Sequence, residues 1–164
     1  MNKQSSGAPN RPRPSAKAKA VELLSISDQS VRRLTEKLSR KAYSDEEIHE
    51  TIAWLQDKHY IDDEGGCRRR FEYLYESSTY SVKQICVKLL QKGYDGDLVR
   101  SCVPDDIYER ELEKAGRVVR SKFKPGTDFR KMQQYMYGRG FDYSAARDAI
   151  EAYRQQWPED NYGE

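Results

Sequence analysis

SVKQICVKLLQKGYDGDLVRSCV, residues 81 to 103, reads as helix, tight turn, helix. Apolar residues stand twelve, nine and five positions before Tyr94, at Val82, Ile85 and Leu89. Two more stand five and nine positions after it, at Val99 and Val103. This is the spacing of one buried helix face on each side of a turn.

The same offsets recur on both sides. From Tyr43 they reach Val31, Leu34, Leu38, Ile48 and Ile52. From Phe141 they reach Phe129, Met132, Met136, Ala146 and Ile150. All are apolar in a chain that is 37% hydrophobic, which makes coincidence a poor explanation. A period near fifty residues signals tandem supersecondary units. Val31, Leu34, Leu38, Val82, Ile85, Leu89, Phe129, Met132 and Met136 are therefore the expected core columns.

The punctuation repeats with the columns. Ser30, Ser81 and Asp128 precede the first helix of each pair, and Ser44, Asp95 and Asp142 precede the second. These side chains accept hydrogen bonds from the free N–H groups of a first turn. Ser44 with Glu47 and Ser81 with Gln84 have capping-box spacing. Gly93 and Gly140, each after a cation, suit the left-handed residue that closes a helix.

Working outward, residues 1–14 are basic, rich in Ser, Pro and Gly, and predicted to be a disordered tail. Residues 15–60 form a first three-helix unit, with helices over about 15–25, 30–41 and 44–58. Residues 61–103 form a second, led by a helix over 66–78 whose apolar face is Cys67, Phe71, Leu74 and Tyr75. Residues 104–157 form a third, led by a helix over 105–123, and 158–164 make an acidic tail. The expected fold is all-α: three tandem three-helix units in an elongated, curved array of either hand, with no sheet.

Net charge is only +2, but it is unevenly spread. Residues 21–64 carry six cations against eleven acids, whereas residues 65–103 carry seven against four. The stretch 65–103, most of the central unit, is the basic folded one, a modest pointer to an anionic partner. Cys67, Cys86 and Cys102 lack C-x-x-C spacing and read as buried, reduced thiols of a cytoplasmic protein. No apolar run approaches the ~18 residues of a membrane span, and no signal peptide is read.

Nothing in the sequence assembles a catalytic site. Asp62, Asp63 and Glu64 are adjacent rather than ligand-spaced, and read as a helix N-terminal cluster. His49 and His59 have charged surroundings and read as surface residues. No phosphate-cradling loop or nucleophile elbow is present. The expectation is a non-enzyme without cofactor or metal.

The ordered set SVRRLTEKLSRKAYSDEEI, YIDDE, SVKQICVKLLQKGYD and SKFKPGTDFRKMQQYMYGRGF resembles the RecX family, over about residues 18–155. It departs from the usual family pattern at Gly66-Cys67, at Thr79-Tyr80-Ser81 and at Arg33. The resemblance implies a monomeric, cytoplasmic modulator that binds the filament of the RecA recombinase on single-stranded DNA. It implies inhibition of filament growth, ATP hydrolysis and strand exchange in recombination, DNA repair and the SOS response. It leaves room for weak contact with the single-stranded DNA, and none for a membrane. On a helical wheel Arg69, Arg70 and Tyr73 face away from the core side, as do Gln84, Lys88 and Gln91. Arg69, Arg70, Tyr73 and Lys88 are thus the expected filament contact. The rival reading is a helix-turn-helix-type nucleic-acid-binding protein, favoured by the basic tail and central unit and opposed by the near-neutral total charge.

Overall fold

The computed structural model describes residues 12–157. Their regular elements are all helices: α1 Ala16–Ile26, α2 Val31–Arg40, α3 Asp45–Asp57, α4 Asp63–Ser77, α5 Val82–Gln91, α6 Gly96–Ser101, α7 Tyr108–Lys122, α8 Phe129–Gly138 and α9 Tyr143–Gln155. Two compact bodies result, one up to Ile61 and one from Asp62.

Local chemistry starts the helices where the sequence places the caps. Ser30, Ser81 and Asp128 accept from the N–H groups of Arg33, Gln84 and Lys131 at 3.2, 3.1 and 3.0 Å. Both capping boxes close: Glu47 accepts from Ser44 N–H at 2.8 Å and Gln84 from Ser81 N–H at 3.2 Å. Each such cap contributes about 1 kcal/mol.

The helix ends explain the repeated columns. Tyr43, Tyr94 and Phe141 donate backbone N–H to the carbonyls of Leu38, Leu89 and Met136, five residues back, at 3.2–3.3 Å. The residues just before them, Ala42, Gly93 and Gly140, donate three residues back at 2.8–2.9 Å and have φ of 62°, 90° and 76°. This is a Schellman closure, in which the two residues joined by the longer bond also make a hydrophobic contact. The aromatic reference residue and the apolar residue five before it are that pair, and all six are buried.

In the first body, Leu34, Leu38, Tyr43, Ile48, Leu55 and Ile61 close a core with Ala16 and Ala20 of α1. Arg13 donates to the Lys41 and Ala42 carbonyls at 2.7 and 3.2 Å, and its guanidinium lies 3.7 Å from the centre of the Tyr43 ring. Tyr43 Oη donates to the Pro14 carbonyl at 2.7 Å. The tail expected to run through Pro14 is therefore anchored by Arg13 and Pro14, because a cation satisfies the end carbonyls of α2. Residues 1–11 and the tail 158–164 lie outside the described residues.

The second body holds two clusters. One is built on Cys67, Phe71, Val82, Ile85, Leu89, Tyr94 and Val99. The other is built on Val119, Met132, Met136, Phe141, Ala146 and Ile150. Val31 and Phe129 are only half-buried, packed at the edges of their clusters.

Three charged residues of α7 tie this body together. Glu111 is 1% exposed, and its carboxylate accepts from the N–H of Val82 at 2.8 Å and of Asp142 at 3.1 Å. It thereby satisfies one free donor of the first turn of α5 and one at the cap of α9. Arg110 donates to the carbonyls of Tyr75 and Tyr80 at 2.6–3.1 Å and to Glu111 at 3.3 Å. Lys114 donates to the Glu76 carbonyl at 3.0 Å. Ser81 Oγ adds a bond to the Arg139 carbonyl at 2.7 Å.

Three helix bounds differ from those expected of the sequence. α4 begins at Asp63 rather than residue 66, because Asp62 caps it by accepting from Gly65 N–H at 3.0 Å. Gly66 then falls in the first turn, where a Cβ would lie 3.2 Å from the Tyr94 hydroxyl. α6 stops at Ser101, since Pro104 disfavours helical geometry at Val103. α7 starts at Tyr108 rather than 105, with Asp106 accepting from Tyr108 N–H at 3.0 Å.

Two stability outcomes are expected in urea unfolding. Ala42 holds a left-handed conformation that costs an L-residue about 1–2 kcal/mol. Ala42→Gly removes that cost against about 0.4–1 kcal/mol of added unfolded-chain entropy, and should stabilise by up to about 1 kcal/mol. Glu111→Gln keeps the shape but turns one acceptor into a donor, and should destabilise by about 1–3 kcal/mol. A lower midpoint for Ala42→Gly, or no change for Glu111→Gln, would contradict these assignments.

Candidate interaction surface

α4 turns Cys67 and Phe71 inward, with Leu74 and Tyr75 packed beside them. Its opposite side leaves Arg69 and Tyr73 exposed, Tyr73 by 69%, and Arg70 half-buried. Arg69 Nη1 lies 4.0 Å from the carboxylate of Asp62. That loose, solvent-exposed pair contributes little to folding and leaves the guanidinium available to a partner.

Lys88 has different company. Its ammonium sits 4.5 Å from the centre of the Tyr80 ring, a cation–π contact that orients it along α5. It lines a groove of about 350 Å³ with Lys83, Gln84, Val87 and Gln91 of α5. The other wall is the end of α8, from Tyr137 to Gly140. Arg69, Arg70 and Tyr73 are not among the lining residues. The structure thus brings Lys88 together with Lys83 and Arg139, which the sequence does not single out. Arg139 follows a helix and precedes a glycine, so it reads as a cation placed for the helix dipole. Its guanidinium instead stacks 5.6 Å from the Tyr135 ring centre and donates to Tyr135 Oη at 3.2 Å.

His49 and His59 are exposed, as their neighbours suggest. Asp62 caps α4, and Asp63 and Glu64 occupy its first turn, the place read for them. Among the described residues no group of three or more His, Cys, Asp and Glu is placed to hold a metal ion. Among the same residues no helix is long and apolar enough to cross a membrane. The sulfurs of Cys67 and Cys102 are 3.9 Å apart. Burial, and then the neighbouring Cys102, push the Cys67 thiol up to about 12, and burial also raises Cys86.

Known proteins are similar to this chain in sequence and fold. The model of the RecX first three-helix domain matches residues 16–55. The regulatory protein RecX of Salmonella heidelberg is 30% identical over 140 residues, covering 75% of this chain and 82% of that protein. The regulatory protein RecX of Caldanaerobacter subterraneus is 28% identical over 137 residues, covering 82% of this chain and 68% of that one. The crystal structure of RecX from Lactobacillus salivarius superposes with a TM-score of 0.68 over 86% of this chain and 95% of its own, at 20% identity.

The thiols give a test of this region. A raised pKa keeps Cys67 neutral in the fold, while unfolding returns it toward 9.0. Its contribution to stability is constant below pH 9 and is lost as pH rises toward 12. At pH 8, iodoacetamide should modify half-buried Cys86 and Cys102 well before Cys67, as read by peptide mass spectrometry, because the thiolate is the nucleophile. Equal rates at all three would contradict the burial of Cys67.

Proposed function

This chain belongs to the RecX family of regulatory proteins, and on that premise we propose that it binds the RecA–single-stranded-DNA filament and lowers its activity. Family membership is the observation that carries the reading. It acts by contact rather than chemistry, as a cytoplasmic monomer in recombination, repair and the SOS response, and it is not an enzyme. The contact is the exposed Arg69 and Tyr73 and the half-buried Arg70 of α4, together with Lys88 of α5. Arg and Tyr combine large contact area with directed hydrogen bonds, and are enriched at interfaces for that reason. Their cations complement acidic recombinase surface or DNA phosphates. Seated in the helical groove of the filament and bridging neighbouring subunits, the protein hinders filament growth and lowers ATP turnover and strand exchange.

The test is RecA ATP hydrolysis on single-stranded DNA, titrated with the protein. Turnover should fall at near-stoichiometric ratios, and the protein alone should hydrolyse no ATP. Arg69→Glu with Arg70→Glu should weaken filament binding at least about tenfold, equivalent to ~1.4 kcal/mol. The melting temperature should move little, since exposed charges contribute little to folding. Reversing Arg32 and Lys37 of α2, in the first body, is the control, with a smaller effect expected. Unchanged turnover across the titration with folded protein would overturn the function. Parent-like binding by both double variants would overturn the site.

A further inference from the structure

We propose that Cys67 and Cys102 are a redox-active pair, which a hydroperoxide joins in a reversible disulfide that links α4 to the end of α6. Their sulfurs lie 3.9 Å apart, close to van der Waals contact. The two residues are 35 positions apart in the chain, so packing rather than local sequence makes this meeting. The three helices of their cluster each bring one thiol to it: Cys67 from α4, Cys86 from α5 and Cys102 from the cap of α6. The mechanism by which the protein meets its partner uses none of the three.

The two sulfurs differ in access. Cys67 is 0% exposed, whereas Cys102 is half-buried. Peroxide therefore meets Cys102 first, and Cys67 is placed to resolve the product. The Cys102 thiolate attacks one peroxide oxygen. An S–O bond forms, the O–O bond breaks, and the leaving hydroxide takes up the proton that the thiol released. Cys102 is then a sulfenic acid, and one water has been produced. The Cys67 sulfur next attacks the Cys102 sulfur. The S–S bond forms, the S–O bond breaks, and hydroxide leaves with the Cys67 proton as a second water. Two thiols have lost two electrons, and one hydrogen peroxide has become two waters. Burial holds the Cys67 thiol neutral, which keeps it from reacting with peroxide by itself. Contact with the sulfenic sulfur offsets the small thiolate fraction in the second step, because that step needs no encounter.

Closing the bond brings the sulfurs from 3.9 Å to about 2.05 Å. Cys67 is held in the second turn of α4, so the movement falls on the other side. Cys102 follows the short α6 and stands in the turn that leads to Pro104. Rotation of its side chain and a small shift of that turn supply the approach without disturbing the buried face of α4. In a reducing compartment a link of this kind is transient rather than structural, and a partly exposed one is readily reduced again. While it lasts it ties α4 to the segment before α7 and restricts the unfolded chain, so the oxidised second body is the more stable form.

The experiment uses the full chain, reduced, freed of reductant and treated with hydrogen peroxide at neutral pH. Trypsin separates the thiols, with Cys67 in residues 59–68, Cys86 in 84–88 and Cys102 in 101–110. Mass spectrometry without reductant should find 59–68 joined to 101–110, in a chain that remains a monomer. Free thiols counted in urea should fall from three to one, and dithiothreitol should restore all three. The oxidised chain should melt roughly 5–15 °C above the reduced one. Cys102→Ser should abolish the link and leave Cys67 unmodified, whereas Cys86→Ser should leave the link intact. Circular dichroism melts establish that each variant is folded, and Cys67→Ala is the second deletion should Cys102→Ser fail to fold. Three free thiols remaining under peroxide that fully oxidises free cysteine overturns the proposal. So does a disulfide through Cys86, or one between two chains, in place of this pair. An unchanged or lower melting temperature on oxidation also overturns it, because the link then restrains nothing. Since no recombinase is present, these outcomes are independent of whether the protein inhibits the filament.

Discussion

One buried carboxylate sets the arrangement of the second body. Glu111 takes a proton donor from the start of α5 and another from the cap of α9, so one side chain on α7 fixes two helix origins. An isolated buried charge would be costly, and removal of a partner from such a set is more costly than the set is favourable. Arg110 beside it supplies the countercharge, and burial in turn lowers the Arg110 pKa. Once α5 and α9 are fixed to α7, the cap of α5 meets the end of α8 through Ser81 and the Arg139 carbonyl. That meeting forms the wall of the groove that carries Lys83, Lys88 and Arg139.

The repeated unit has a more local basis. Each first helix ends in a Schellman closure, which requires a left-handed residue and joins an apolar residue to an aromatic one. Two units meet the requirement with glycine and the first with Ala42. The aromatic residue is buried in all three, so the helix stop is also a core contact. Stop signal and core position are then a single feature, and this explains why offsets measured from Tyr43, Tyr94 and Phe141 line up so regularly.

This locality is why much of the fold is legible in the sequence. Caps, closures and columns depend on residues within one turn or one helix pair, so spacing alone reveals them. Ser44 pairs with Glu47, and Ser81 with Gln84, at the spacing that a capping box demands. The start of α4 is harder to place because Asp62 has acidic neighbours competing for the capping role, and that of α7 because its N-cap, Ile107, has no side-chain capping bond to announce it. The α7 seam is not legible, since its partners are backbone groups 29 to 38 residues away. Its sign in the sequence is an acid at 111 on the stripe continued by Ala115 and Val119, all buried. At the candidate surface, a helical wheel sorts Arg69 and Tyr73 from Cys67 and Phe71. It has no means of bringing Arg139 beside Lys88, because that proximity is made by packing between helices.

The seam has a consequence for how such a chain tolerates change over generations. Arg110 and Lys114 hold α4 and the turn before α5 by their carbonyls, and Glu111 holds α5 and α9 by their amides. Nearly every amino acid supplies the same carbonyl and amide, proline alone lacking the amide. Glu76 and Asp142 can therefore be exchanged for other residues without erasing the bonds their main chains make here. The burden of the joint falls on a few letters of α7, while the other side is free to drift. A fold joined in this one-sided way can persist through extensive rewriting of its sequence.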